Sequence, residues 1–346
     1  MPGRIAVVGA GSWGTTVASL ACANAPTVLW ARHDAVVSSI RQSRSNLDYL
    51  PGVELPAELE ATSDLDEAVA GADLVVMAVP SHGFRGVFGA LAPSMAAGTP
   101  VLSLTKGLEQ GSQLRMTQIV EQVRPGTVTG MLTGPNLASE VVAGQPPAAL
   151  VAIPDESLAT WIQGLLMSPT FRVYTSPDVI GCEIAGASKN VLAVAAGISD
   201  GLGFGDNTRA ALITRGLAEM GRLGVALGAD PLTFAGLAGV GDLVATCTSH
   251  RSRNRTVGFA LGSGRSLEEI LAEMRMVAEG VKTARPVVEL AAVHGIELPI
   301  AAEVVAVIDG TRTPSAAMAE LMLRPATAEL PHEAAARRVA TGRQPV

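Results

Sequence analysis

Short apolar runs alternate with stretches of helical periodicity through the first half of the chain. The segments 4–8, 27–31, 74–79, 101–105, 128–132, 148–153 and 171–174 read as strands. Several are apolar throughout, without in–out alternation, as expected of parallel strands covered by helices on both faces. Helical patterns fall between them at 15–23, 64–70, 112–123 and 156–167. Strand and helix in alternation predict a doubly wound α/β sheet. After Pro177 the pattern turns mostly helical, punctuated by Gly201-Leu202-Gly203-Phe204-Gly205, Gly228, Gly262-Ser263-Gly264 and Pro299, and no strand is predicted. The expected organisation is a sheet domain over 1–177, an all-α domain over 178–330, and a tail over 331–346, rich in Ala, Arg and Gln, read as fraying or disordered.

Composition narrows the function classes. The 346 residues carry 25 Lys and Arg against 32 Asp and Glu, a net charge of −7. Binding to nucleic acid or to an anionic membrane surface calls for the opposite sign, so neither partner is expected. At 48% hydrophobic and 16% charged residues the chain is too apolar for disorder. Cys22, Cys182 and Cys247 are odd in number and far apart, which argues against a disulfide framework or a cysteine zinc site and for a reducing, cytoplasmic setting. The N-terminus imitates a signal peptide, but Gly9, Gly11, Ser12 and Gly14 interrupt its apolar run. No apolar stretch is read as reaching the ~18 residues of a membrane span. No metal is expected.

Gly9-Ala10-Gly11-Ser12-Trp13-Gly14 follows the first strand directly and opens a helix. In that context Gly9 allows a tight turn, Gly11 lets backbone approach a diphosphate, and Gly14 permits close packing. The helix N-terminus adds free N–H groups and a partial positive charge. This is a Rossmann-like dinucleotide site. Arg32, 18 positions after Gly14, stands where an NAD-only site usually carries an acid, so NADP(H) is favoured with NAD(H) allowed.

Lys106 lies where a strand runs out, at the edge where open α/β sheets bind ligands. Ser81-His82 ends another strand and is read as structural. Lys189 has Cys182, Ala185, Gly186, Ala193 and Ala196 as helical neighbours, so a ligand or another backbone can pack closely there. Desolvation there should lower its pKa toward the acid–base range. Asp242, in an apolar Gly-rich setting, is either a support for a catalytic lysine or the N-cap of the following helix. His250-Arg251-Ser252-Arg253-Asn254-Arg255 combines cations and amides before a helical pattern, suitable equipment for a phosphate.

Together these pieces resemble the bacterial-type glycerol-3-phosphate dehydrogenase family over roughly 4–323. The resemblance is carried by Gly-Ala-Gly-Ser-Trp-Gly-Thr at 9–15, Ser-Leu-Thr-Lys-Gly-Leu-Glu at 103–109 and Gly-Pro-Asn-Leu-Ala-Ser-Glu at 134–140. Further on it rests on Ala-Ser-Lys-Asn at 187–190, the run 211–220, Gly-Asp-Leu-Val-Ala-Thr-Cys at 241–247, Ser-Arg-Asn at 252–254 and Val-Ala-Glu-Gly at 277–280. It implies reversible reduction of dihydroxyacetone phosphate to sn-glycerol 3-phosphate, serving phospholipid synthesis. Lys189 would be the proton acceptor, Lys106 would touch cofactor and substrate, and Asp242 would support Lys189. Gly134, Asn136, Ser252, Arg253 and Asn254 would complete the substrate site. Ser12, Trp13, Arg32, His33, Ala138, Val277 and Glu279 would join Gly9, Gly11 and Gly14 at the cofactor, with Arg253 reaching it too. Asn136 departs from the Ser or Thr usual in the family but can still donate a hydrogen bond.

Two rivals stay open at this point. One is a two-domain dehydrogenase for a 3-hydroxy acid, which leaves Ser252-Arg253-Asn254 without a purpose. The other is a cofactor-binding redox sensor without turnover, which leaves Lys106 and Lys189 without one. The oligomeric state is open, with a homodimer as the candidate.

Overall fold

The structure is a computed structural model, and it describes residues 3–274, 277–326 and 328–329. Among them the first half forms β1 (Ile5–Val8), α1 (Ser12–Cys22), β2 (Thr27–Trp30), α2 (Asp34–Ser43), β3 (Glu60–Thr62), α3 (Leu65–Val69) and β4 (Leu74–Met77). There follow α4 (Ser81–Leu91), β5 (Val101–Ser103), α5 (Met116–Val123), β6 (Thr129–Thr133), α6 (Ala138–Val142), β7 (Ala148–Ala152), α7 (Glu156–Leu166) and β8 (Arg172–Ser176). All eight strands join one sheet in the order β3-β2-β1-β4-β5-β6-β7-β8. Every neighbouring pair is parallel except β6 with β7. The strands β1, β2 and β4 are buried at every position, the burial that the unbroken apolar runs predicted. Side chains on the two faces of the sheet feed two separate cores under the flanking helices.

Four elements went unread in the sequence. β3 is only three residues long and begins with an exposed Glu60, so it carries no apolar run to detect. α2 and α6 are short and polar-rich, and α4 carries three glycines that weaken its helical signal. The helix expected from 112 starts at Met116, because Glu109–Leu114 closes on itself in a turn with Gln113 at φ 58°.

From Val179 onward the described residues contain helices and no strand. α8 (Val179–Gly201) is the hub, buried continuously from Gly181 to Ser199. Packed around it are α9 (Asp206–Ala226), α10 (Asp242–Thr248), α11 (Arg253–Gly262), α13 (Glu279–Val293) and α14 (Pro299–Ile308), with α12 (Leu267–Glu273) and α15 (Pro314–Leu323) outside. By length and mean hydropathy, 1.4, α8 is apolar enough to cross a bilayer, which corrects the expectation that no stretch would reach that length. Its apolar surface goes instead into the third core of the fold. The expected tail at 331–346 lies outside the described residues.

α8 is also stitched to the sheet domain. Its Glu183, 3% exposed, accepts bonds from Arg115 Nη1 at 2.6 Å, Thr117 Oγ1 at 2.6 Å and the Thr117 N–H at 3.0 Å, all at the start of α5. A buried carboxylate is tolerable only with this degree of pairing, and the pairing fixes α8 against the sheet.

Candidate active site

The topological switch lies at β1, where the strand order runs to β2 on one side and β4 on the other. The carboxyl ends of the parallel strands therefore open onto one cleft, of about 470 Å³. The glycine loop comes from the end of β1, Arg32 and His33 from β2, Pro80 and His82 from β4, and Lys106 from beyond β5. The opposite wall comes from the helical half, with Lys189, Asn190, Asp242, Thr246, Ser252, Arg253, Asn254, Val277 and Glu279. A hollow of about 620 Å³ beside β8 is larger, but Arg172 is its one charged residue and it lies away from this convergence of charges.

The cofactor end is built from backbone. Gly9 has φ 120°, and a Cβ there would meet the Ala78 carbonyl oxygen at 2.6 Å. A Cβ on Gly14 would meet the Gly9 carbonyl oxygen at 2.0 Å, so the loop can fold tightly onto the helix only with glycine there. Gly11 has open space around it, room for a ligand to approach the main chain. α1 starts with no side-chain cap and no acid in its first turn, so its N-terminal dipole is left to an anion. Trp13 Nε1 is buried there without a partner. These features fit a dinucleotide. Arg32 is exposed and makes no ion pair or hydrogen bond among the described residues, and His33 beside it is exposed too.

The reacting end is a knot of three charges. Lys189, 7% exposed, donates to Asp242 Oδ1 at 2.8 Å and to Thr246 Oγ1 at 2.7 Å. Lys106 donates to Asp242 Oδ2 at 2.6 Å and to the Gly134 carbonyl at 3.0 Å. Asp242, 2% exposed, thus holds one lysine on each oxygen. Burial alone would raise its carboxyl pKa, but the Lys106 and Lys189 ammonium groups hold it below the usual carboxylate range. Burial pushes the Lys189 ammonium down to about 8; Asp242 opposes the shift and the Lys106 charge adds to it. Lys189 is thereby poised near neutrality as an acid–base group. One of its three donor positions has no protein partner among the described residues.

Local sequence explains how the knot forms. A π-helical turn at Leu237–Gly241 runs directly into α10 and delivers Asp242 to its first turn. Gly241, not Asp242, is the N-cap, so the capping alternative is set aside. The Lys106 stem packs over Gly186 of α8, where an added Cβ would meet Met131 Cε at 3.1 Å and Lys106 Cγ in ordinary contact at 3.4 Å. The small-residue face of α8 thus admits another residue's stem, and farther along it admits backbone. Gly134, at φ 122°, would bring a Cβ within 2.9 Å of the Ala148 carbonyl, so its carbonyl reaches Lys106 only from a glycine.

Other expected residues are placed less directly. Asn254 Oδ1 accepts from the Gly280 N–H at 2.8 Å, its amide donates to Asn190 Oδ1 at 2.8 Å, and Asn190 donates to the Lys106 carbonyl at 2.8 Å. Because the Gly280 N–H can only donate, the direction of the whole chain is fixed. Ser252 Oγ caps α11 by accepting the Arg255 N–H at 3.3 Å. Arg253 lines the cleft with no ion pair or hydrogen bond to its guanidinium among the described residues. Glu279 is already occupied by the Ser81 N–H at 3.0 Å and Oγ at 2.6 Å, and so straps the two halves together. Asn136 lines the cleft, and its Oδ1 is buried without a partner. Gly14, Gly134 and Ala138 do not line it; Ala138 opens α6, one residue beyond Leu137, which does. The sequence reading gave no role to Thr246 and Asn190. Thr246 had a usable signal, since it stands four residues after Asp242 on one helical face.

Comparison with known proteins agrees with this geometry. The family model described as the N-terminus of NAD-dependent glycerol-3-phosphate dehydrogenase matches residues 4–159, and the corresponding C-terminal model matches 178–319. The chain belongs to the NAD-dependent glycerol-3-phosphate dehydrogenase family. A glycerol-3-phosphate dehydrogenase [NAD(P)+] of Sphingopyxis alaskensis is 54% identical over 90% of this chain and 93% of its own length. One from Mycobacterium avium is 53% identical over 88% and 90%. The crystal structure of glycerol-3-phosphate dehydrogenase from Coxiella burnetii superposes with a TM-score of 0.90 at 38% identity, covering 93% of this chain and 99% of that one. An NAD(P)-dependent oxidoreductase of this family is neither a dehydrogenase of 3-hydroxy acids nor a silent sensor.

Proposed function

We propose that the chain catalyses reversible hydride transfer between NAD(P)H and dihydroxyacetone phosphate to give sn-glycerol 3-phosphate, with Lys189 as the acid–base residue. The observation that carries this reading is the single carboxylate, Asp242, that holds Lys189 and Lys106 at 2.8 and 2.6 Å in the same cleft as an uncapped glycine loop. The 1–177 part would hold the dinucleotide and the 178–330 part the reacting groups. When bound, the nicotinamide supplies or receives the hydride.

The protein's share is proton and charge management. In the reducing direction a protonated Lys189 donates to the oxygen at C2 as negative charge develops there. In the oxidising direction neutral Lys189 takes the hydroxyl proton. Thr246 donates its own hydrogen to the Asp242 carbonyl oxygen at 2.6 Å, so its lone pair faces Lys189 and keeps the ammonium aimed. The Lys106 ammonium, paired to Asp242 at the cleft, offsets charge on the reacting oxygen. The unpaired Arg253 guanidinium, at the start of α11, suits the phosphate of the substrate. The unpaired Arg32 suits the 2′-phosphate of NADPH, and Glu279 keeps the Val277 segment against α4. A cytoplasmic supply of glycerol phosphate for phospholipid synthesis is the cellular role that fits this chemistry.

The deciding experiment follows reduced-nicotinamide absorbance with dihydroxyacetone phosphate and each cofactor in turn. Turnover with the phosphate and little with free dihydroxyacetone is expected. Equal turnover of the two ketones would discard the anion site.

A further inference from the structure

A second charged cluster lies behind the phosphate turn, outside the cleft. Asp200, near the end of α8, has a side chain only 5% exposed and accepts from two arginines. Arg255 reaches its Oδ2 through Nε at 2.8 Å and Nη2 at 2.6 Å, and Arg209 reaches its Oδ1 at 3.0 and 2.7 Å. Arg209 is itself held by Asp206 at 2.6 Å. The remaining arm of Arg255, Nη1, points back along the chain to His250 Nδ1 at 3.0 Å. A guanidinium has donors only, so Nδ1 is the acceptor and the imidazole hydrogen sits on Nε2. The Arg255 side chain, 10% exposed, therefore ties the hub helix to the turn that precedes Ser252, Arg253 and Asn254.

Burying a guanidinium–carboxylate group is costly unless close pairing and further hydrogen bonds offset the desolvation, and the bond to His250 is one of those that satisfy Arg255. The helix α11 is already fixed. It meets α8 backbone to backbone, since a Cβ on Gly197 would lie 2.1 Å from the Arg255 carbonyl oxygen and one on Gly258 2.0 Å from that of Val194. The turn at 249–252 has no such contact. It hangs from α10 with two internal bonds, from the Ser252 N–H to the Ser249 carbonyl and from the Arg251 N–H to Ser249 Oγ, both at 3.1 Å, and His250 is exposed. Arg251 ties the turn loosely to Glu140 of α6, at 3.4 Å between two exposed side chains. The Arg255 bond at His250, five residues apart, is the contact on this turn that continues through Asp200 into the buried helices.

We infer that the Asp200–Arg255–His250 chain is a positioning device for the phosphate turn, setting affinity for the substrate's phosphate and leaving the proton-transfer step alone. Neither His250 nor Arg255 lines the cleft, so both act through Arg253 and its neighbours. The inference rests on reading Arg253 as the phosphate ligand.

The test compares three variants of the full-length enzyme. His250→Phe keeps the ring bulk without an acceptor, His250→Asn keeps an acceptor where Nδ1 stood, and Arg253→Ala removes the anion ligand itself. His250→Phe should raise KM for dihydroxyacetone phosphate roughly 3- to 10-fold, the size of one lost hydrogen bond. Competitive inhibition by inorganic phosphate should weaken in parallel. Its kcat, its KM for NADPH and its melting temperature should stay near those of the parent, and His250→Asn should recover most of the affinity. A parent-like KM in His250→Phe, or no rescue by Asn, overturns the positioning role. Unchanged phosphate inhibition in Arg253→Ala overturns the anion site and the inference with it.

Discussion

At one end of the cleft five consecutive residues, Gly9 to Trp13, form a lining made largely of main chain. At the other end Lys106, Lys189 and Asp242 arrive from three distant points in sequence and two domains. The first surface depends on the absence of side chains, because a Cβ at Gly14 would sit 2.0 Å from a carbonyl oxygen. The second depends on three charged groups in contact, where the two ammonium groups lower the Asp242 pKa and burial with the Lys106 charge lowers that of Lys189. A backbone site positions a large, fixed anion and tolerates change in the residues around it. A buried charge knot tunes a proton and tolerates no unpaired member.

That contrast predicts unequal consequences for single changes. Lys189→Met keeps the apolar stem and deletes the titrating group, and kcat should fall by about 10²–10⁴ while fluorescence titration shows cofactor still bound. Near-normal kcat would move proton transfer elsewhere, with Lys106 the first candidate. Arg253→Ala comes next. Loss of a charge-assisted phosphate contact should weaken dihydroxyacetone phosphate binding by about 1.5–3 kcal/mol, read as KM. A shift in NADPH affinity alongside it is compatible, since the same guanidinium can bridge both ligands. Arg32→Ala should have the smallest effect, because solvent screens an exposed cation. It should raise KM for NADPH about tenfold and leave KM for NADH nearly unchanged. Equal rises for both cofactors would show that Arg32 does not read the 2′-phosphate.

The same contrast explains what could be read from the chain beforehand. Buried parallel strands announce themselves as unbroken apolar runs, and the glycine loop lies in one contiguous motif with its strand and helix attached. β3 was missed because a three-residue edge strand beginning with Glu60 has no such run. Lys189 and Asp242 could be singled out as charges among small or apolar residues, but their contact depends on the π-helical turn at Leu237–Gly241, which has no local signature. The role of Asn190 was invisible for the same reason, since its partners Lys106 and Asn254 are supplied only by the fold, whereas Thr246 carried a signal in its spacing of four from Asp242. The small residues of α8 were legible as a close-packing face. Their occupants, the Lys106 stem at Gly186 and the α11 backbone at Gly197, were not.

As the proposed proton acceptor, Lys189 has an ammonium pushed down by burial, held up by Asp242 and lowered further by the Lys106 charge. The most direct measurement is the pH dependence of kcat/KM for sn-glycerol 3-phosphate oxidation in the parent, Asp242→Asn and Lys106→Met. Oxidation requires neutral Lys189, so the parent's rate should rise with pH through about 8. Asp242 stabilises the ammonium, so its removal should move the rising limb to lower pH. Lys106 destabilises the ammonium, so its removal should move the limb to higher pH, whatever either change does to the absolute rate. A limb that stays put in both variants, or moves the same way in both, would contradict the account.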